Sequence, residues 1–180
     1  MTQYENVYAN FLYKFSKVVK KYKNELYSEM IFLCIGTSKV SGDSFGPLVG
    51  NKLKQRINNR KIIVLGDLEN NIDASNIEKS IEVIKTKYKK PLVISVDAAL
   101  SRKEDIGKIN IYPYGVKIRK AIENQNGGIG DLSIKVVVAN NCRKPISNYI
   151  ELKRTPFSRI DYLSEIIANG INEIIENSDV

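Results

Sequence analysis

Residues 30–57 read MIFLCIGTSKVSGDSFGPLVGNKLKQRI, an apolar run followed by a polar loop and an amphipathic segment. The apolar run, residues 30–36, is short and ends in glycine, which is typical of a central strand covered on both faces. Residues 37–46 are polar and contain glycine, and Pro47 then favours the first turn of a helix because its missing N–H costs nothing there. This order of strand, loop and helix predicts one unit of an α/β sheet.

The rest of the chain repeats this order. Ser75, with Glu78 three residues later, predicts a capping box at the start of another helix, which ends before Pro91. Apolar residues at three- and four-residue spacing predict amphipathic helices over residues 4–22 and 160–175. The remaining predicted strands cover residues 61–66, 91–96, 108–112 and 132–139. Alternating helices and strands predict a single domain, residues 1–180, of the α/β class: a three-layer αβα sandwich with a mostly parallel central sheet.

The composition is that of an ordinary globular domain, with 180 residues of which 43% are hydrophobic and 27% are charged. The apolar runs are far shorter than the roughly 18 residues that cross a bilayer, so no membrane association is expected. The N-terminus lacks the basic, apolar and small-residue regions of a secretion signal, which predicts a cytoplasmic protein.

The residue types restrict the chemistry. The chain contains no histidine, which excludes Ser-His-Asp and Cys-His catalysis and any metal site that requires imidazole. Its two cysteines, Cys34 and Cys142, are too few for a four-thiolate zinc site and lie in or beside apolar runs, so buried and reduced thiols are expected. Any reaction must therefore use carboxylates, hydroxyls, thiols or lysines.

The net charge of the chain is positive. It carries 28 Lys and Arg against 20 Asp and Glu, a net charge of +8, which favours an acidic partner or a nucleic acid. Because the basic residues are scattered along the chain, solvated helix faces explain them more simply, and nucleic-acid binding is the less favoured interpretation. Residues 126–130, NGGIG, precede a predicted strand instead of opening a helix, so a turn is expected there and not a phosphate-binding loop.

Two aspartates follow predicted strands of the sheet. Asp43 lies in the loop after the first strand, and Asp97 directly follows the third. Because ligands of open α/β sheets bind beyond the carboxyl ends of the strands, the two carboxylates face one crevice if those strands are neighbours. Two close carboxylates share a proton, so that one activates water while the other protonates a leaving group. The alternatives are a turn or capping role for Asp43 and a bond from Asp97 to a nearby backbone amide.

Small and polar residues near the aspartates are candidate substrate-binding residues. Gly42 and Gly46 are expected to let a substrate backbone approach, and Ser44 is expected to supply a hydrogen bond. Ser101 lies on the polar segment after Asp97 and is a further candidate, with a solvated turn as its simpler explanation.

The strings GTSKVSGDSFGPLVG, residues 36–50, and SVDAAL, residues 95–100, resemble those of the YyaC-type sporulation proteins. These proteins are similar to the bacterial germination protease, an atypical aspartic endopeptidase of spores. The resemblance implies that Asp43 and Asp97 are the catalytic residues. It also implies a phosphorylase/hydrolase-like αβα fold, shared with the proteases that mature hydrogenases.

Those hydrogenase proteases bind nickel through carboxylates and histidine. Because this chain has no histidine, we expect no metal and no other cofactor. The chain is also much shorter than a full germination protease, and it contains no segment that resembles the propeptide of that enzyme.

The sequence and the resemblance together predict a sporulation-associated, peptidase-like hydrolase in which two aspartates activate water. The expected partner is a protein or peptide substrate, with a spore protein as the implied kind, and the implied location is the cytoplasm of the forespore or sporulating cell. The alternative is a catalytically inactive spore protein that binds a peptide or partner with the same fold. The apolar faces of the terminal helices fit either internal packing or a homo-oligomer contact.

Overall fold

The computed structural model describes residues 3–23, 27–115 and 129–177. In chain order, this part of the molecule forms the helices α1 (Gln3–Lys23), α2 (Phe45–Arg56), α3 (Ile77–Lys87), α4 (Pro145–Arg154) and α5 (Phe157–Glu176) and the strands β1 (Met30–Cys34), β2 (Ile62–Leu65), β3 (Leu92–Ser101), β4 (Ile109–Tyr112) and β5 (Leu132–Asn140). Short 3-10 turns at Ser41–Ser44 and Lys103–Asp105 precede α2 and β4. Each strand predicted from the sequence is present.

The strands form one sheet in the order β2-β1-β3-β5-β4. The pairs β1–β2, β1–β3 and β3–β5 are parallel, whereas β4 runs antiparallel to β5 at the edge. The apolar runs of β1 and β3 lie side by side, with Met30 opposite Leu92 and Cys34 opposite Val96. The prediction of a mostly parallel sheet is confirmed.

Helices cover both faces of this sheet. Alternate residues of β1 and β3, such as Phe32 and Ile94, pack with α1, α2 and α5 on one face. The intervening residues, such as Ile31 and Val93, pack with α3 on the other face. The three-layer αβα arrangement is therefore confirmed, and no helix among the described residues is long and apolar enough to span a membrane.

Two local predictions need correction, and one helix was not predicted. Asp97 does not end its strand: β3 continues to Ser101, because β5 goes on pairing with it after β1 has stopped. The predicted capping box is wrong, because the hydroxyl of Ser75 donates to the Asp73 carboxylate at 2.5 Å and the residue that precedes α3 is Asn76. Helix α4 was not predicted, since none of its residues is buried and it has no inward apolar stripe.

The glycine-rich stretch NGGIG lies partly outside the described residues, which resume at Ile129. Gly130 adopts a positive φ of 92°, which glycine tolerates at no steric cost. This backbone angle is consistent with the predicted turn before β5.

Candidate functional site

The loop after β1 folds back on the strand that it leaves. The Ile35 N–H still donates to the Val96 carbonyl at 2.8 Å, and the Gly36 N–H then turns to the Ile72 carbonyl at 2.8 Å. Thr37 donates its N–H to the carbonyl of Asp43 at 3.1 Å. Gly36 has a φ of 141°, and a β-carbon at this position would overlap the Asp43 carbonyl. Glycine is therefore required for Asp43 to lie against the end of β1.

Asp97 lies on the neighbouring strand at the same level. The pairing between β1 and β3 ends at Cys34 and Val96, one residue before Asp97, while β3 continues to pair with β5. On the side of Asp97 that faces β1, the neighbouring chain is therefore leaving the sheet at Ile35 and Gly36. Asp43, which is 54 positions before Asp97 in the sequence, lies close enough for its carboxylate to act electrostatically on Asp97.

The surroundings of both carboxyl groups favour the protonated form. Burial raises the pKa of Asp97 to about 7, with the Lys135 ammonium opposing this shift and the Asp43 carboxylate adding to it. Burial also raises the pKa of Asp43, against the effect of the Thr37 N–H, and the Asp73 carboxylate adds to the increase. A carboxyl group that titrates near neutral pH can both accept and donate a proton under physiological conditions.

Lys135 is a site residue that the sequence reasoning missed. It lies opposite Asp97 in the parallel β3–β5 pair and opposite Asn110 in the antiparallel β4–β5 pair. These three polar residues form a row across the sheet. A single partly buried lysine inside the apolar run LSIKVVVAN was the available signal, because an isolated ammonium rarely enters a buried strand without a charged partner.

The space beside each predicted substrate-binding glycine is filled by other parts of the protein. A β-carbon on Gly42 would lie 2.8 Å from the Leu152 side chain, and one on Gly46 would overlap the backbone of Ile35. The close approach that we expected a substrate to use is taken by α4 at Gly42 and by Ile35, just after β1, at Gly46. These glycines hold the turn that carries Asp43.

The two predicted serines are also engaged within the chain. The Ser44 side chain is buried and donates to the Ser41 carbonyl at 2.6 Å. Ser101 donates to the Asp105 carboxylate at 3.1 Å. Because a strand rises about 3.3 Å per residue, Ser101 lies roughly 13 Å along β3 from Asp97. The structure therefore brings Asp43 and Asp97 together but leaves Ser101 at a distance.

The loop after β2 forms another wall of this region. Asn71 accepts hydrogen bonds from the Ser38 N–H at 2.8 Å and the Thr37 hydroxyl at 3.2 Å, while its amide donates to the Asp67 carbonyl at 2.7 Å. Burial alone would raise the pKa of Asp67, but the Lys54 ammonium and nearby N–H groups outweigh it and bring this pKa to about 2. The loops after β1 and β2 are thus fastened to one another beside Asp43.

The raised pKa of Asp97 predicts a pH-dependent stability. Between about pH 4 and pH 7 the folded protein retains a proton on Asp97 that the unfolded chain has lost. The stability that Asp97 contributes is therefore fully present below this window and is lost as the pH rises through it. We expect Asp97→Asn to gain stability relative to the unsubstituted protein as the pH increases. Urea unfolding at about pH 5 and about pH 8 measures the difference, and stability curves that stay parallel would contradict the prediction.

Comparison with known proteins places the chain in a family. Residues 2–170 match the model of a family described as a protein of unknown function, DUF1256. The chain belongs to this family. A relative is the uncharacterized protein YyaC of Bacillus subtilis (strain 168), which is 32% identical over 143 residues, or 79% of this chain and 68% of that protein.

The solved structures that match this chain include two hydrogenase maturation proteases. The [NiFe] hydrogenase maturation protease HycI from Thermococcus kodakarensis KOD1 superposes with a TM-score of 0.59 at 20% identity, over 89% of this chain and 99% of that one. The hydrogenase maturating endopeptidase HybD from E. coli has a TM-score of 0.47 at 15% identity, over 81% and 93% of the two chains. The HycI comparison shows that this DUF1256 protein has a peptidase-like fold.

The donor set of the site does not fit the nickel centre implied by that fold. The residues that the structure describes contain no cluster of three or more His, Cys, Asp or Glu side chains able to hold a metal ion. The Asp73 carboxylate acts on Asp43, but the charged group opposite Asp97 is the ammonium of Lys135, which repels a cation. The site chemistry is therefore derived from the side chains alone.

Proposed function

We propose that this protein is a peptide-bond hydrolase in which Asp43 and Asp97 activate water. The observation that carries the proposal is that Asp43, which lies against Gly36 after β1, acts electrostatically on Asp97, which lies one residue beyond the end of the β1–β3 pairing. The peptidase-like fold supports it, and so does the near-neutral pKa of Asp97. Ligand crevices of α/β sheets lie at this edge.

The proposed reaction uses one proton shared by the pair. The ionised carboxylate takes a proton from a water molecule, and the water oxygen forms a bond to the carbonyl carbon of the peptide. The protonated carboxyl group gives its proton to the amide nitrogen as the carbon–nitrogen bond breaks. One proton enters the pair from water and one leaves with the amine, so the pair ends with the single proton that it had at the start.

We also propose that the substrate is a spore protein and that the activity belongs to sporulation. This part rests on the resemblance of the GDSFGP and SVDAAL segments to those of the germination protease, whose substrates are small acid-soluble spore proteins. The match to YyaC of B. subtilis agrees with that resemblance in sequence.

The test is incubation of the purified full-length chain with an acid extract of spore proteins, followed by mass spectrometry of new termini. We expect cleavage by the unsubstituted protein and none by an Asp43→Asn, Asp97→Asn double variant. Cleavage that survives both substitutions would refute the aspartate mechanism. Binding without any turnover would instead identify an inactive peptide-binding protein.

Lys135 is expected to keep a fraction of Asp97 ionised. Replacing it by glutamine in Lys135→Gln removes the positive charge beside Asp97, so the pKa of Asp97 should rise above about 7. Carbon-13 NMR of the aspartate carboxyl groups measures this pKa directly. Lys108→Gln is the matched control, because Lys108 pairs with Asp105 at 2.5 Å and should leave Asp97 unchanged. An unchanged or lower pKa in Lys135→Gln would rule out this role.

A further inference from the structure

Helix α4 presents an apolar face to solvent. Ile146 is 77% exposed, Tyr149 is 53% exposed and Ile150 is 40% exposed. The spacing of three and four residues places these side chains on one face of the helix. Phe157, at the start of α5, is 58% exposed and follows α4 closely in the chain. We call Ile146, Tyr149 and Ile150 the α4 apolar stripe.

The opposite face of α4 holds the helix in place with polar and packing contacts. Asn148 accepts the Cys142 N–H at 2.7 Å, and Leu152 packs against Gly42. Thr155, just after the helix, is buried and accepts the Ser41 hydroxyl on its carbonyl at 2.7 Å. The helix therefore turns its less apolar face toward the domain and exposes the more apolar one, which is the reverse of a helix that serves the core of its own domain.

The α4 apolar stripe and the turn that carries Asp43 lie on different faces of one helix. Leu152 of α4 contacts Gly42, and Thr155, just after α4, contacts Ser41. Both Gly42 and Ser41 belong to the 3-10 turn that also carries Asp43. A chain bound along the stripe would have to pass around α4, about 10 Å across, to reach this turn, and no other element intervenes between α4 and the turn.

The rim of the stripe is basic. Arg143 and Lys144 precede α4, Lys153 and Arg154 occupy its last turn, and all four are exposed. Glu151 is the single acid within the helix. Arg143 also lines a cleft of about 440 Å³ at the ends of β3 and β5. Two copies of this rim would repel each other, whereas acidic side chains of a partner would be attracted.

We propose that the α4 apolar stripe is the docking surface for the protein substrate, and that the docked segment is an amphipathic helix with an apolar face edged by Asp and Glu. This inference rests on the proposed function, because it makes α4 the substrate-holding element next to the two aspartates. A helix laid in this way would match apolar anchors at three- and four-residue spacing, which is a common mode of peptide recognition.

The probe is a synthetic, fluorescein-labelled helical peptide of about 14 residues, roughly four turns, with leucines on one face and glutamates along both edges. Binding is measured by fluorescence anisotropy to the full-length chain carrying Asp43→Asn and Asp97→Asn, so that no cleavage can occur. Failure of the catalytic proposal is thereby separated from failure of docking. A peptide with lysines in place of the glutamates tests the charge requirement.

We expect the acidic peptide to bind, and the pair of substitutions Ile146→Ser and Tyr149→Ser to weaken it at least about tenfold, as expected for apolar anchor residues. Val83→Ser is the matched control, since Val83 is 52% exposed on α3 and should leave affinity within about twofold. Equal binding of the acidic and basic peptides, or no loss in the α4 variant, would overturn the proposal. A concentration-dependent dimer that the α4 variant abolishes would assign the stripe to a second copy instead.

Discussion

The variant Asp97→Asn is expected to lower the rate of peptide hydrolysis by about 10²- to 10⁴-fold, the usual contribution of general acid–base catalysis. Asparagine retains the shape of the side chain but cannot accept or release the proton that the pair must share. Since burial makes the ionised form of Asp97 unfavourable, the substitution should not destabilise the fold at neutral pH. The expected result is therefore a loss of activity without a loss of stability.

A matched control for this substitution is Asp161→Asn. Asp161 pairs with Lys52 at 2.7 Å on the α5 surface, and its side chain is 52% exposed. We expect its removal to leave the hydrolysis rate within about twofold, since exposed ion pairs contribute little to stability. A rate for Asp97→Asn that matched this control, measured on protein with unchanged circular dichroism, would remove Asp97 from the catalytic pair.

The second large effect is expected on stability, in Gly46→Ala. Gly46 lies in the first turn of α2, where alanine would normally improve helix propensity. At this position the added methyl group would overlap the backbone of Ile35. Because the neighbouring atoms belong to the backbone of the loop that leaves the sheet, we expect a loss of about 3 kcal/mol in the free energy of unfolding.

Gly107→Ala separates crowding from backbone strain. Gly107 has a φ of 92°, and an added β-carbon there would meet no atom within 4 Å. Its substitution should cost about 1–2 kcal/mol, from the left-handed backbone angle alone. Denaturant unfolding of both variants measures the difference, and a Gly46→Ala protein as stable as the unsubstituted chain would mean that α2 does not press against the end of β1.

The fold could be predicted because its central strands are buried on both faces. Continuous apolar runs such as residues 30–36 and 91–96 have few other uses in a chain of this length, and glycine and proline mark their ends. Strand propensity reveals less about where a strand ends when one of its two neighbouring strands continues beside it. The sequence therefore predicted that Asp97 follows its strand, although β5 keeps it paired within β3.

Other features depend on contacts that no local pattern reveals. Helix α4 was missed because most of its apolar side chains face solvent and its inward face is held by Asn148 and a single leucine, Leu152. Lys135 becomes informative only when the register places it opposite Asp97. The roles expected for Gly42 and Gly46 depended on an open space that α4 and β1 fill. In each case the deciding partner is distant in the sequence.

Carboxyl titration by carbon-13 NMR tests most directly whether the two aspartates act as a pair. We predict that Asp97 titrates at about 7, and that its pKa falls in Asp43→Asn because the neighbouring negative charge is removed. An Asp97 that titrates near the ordinary value of 3.8, or whose pKa does not respond to Asp43→Asn, would contradict the shared site.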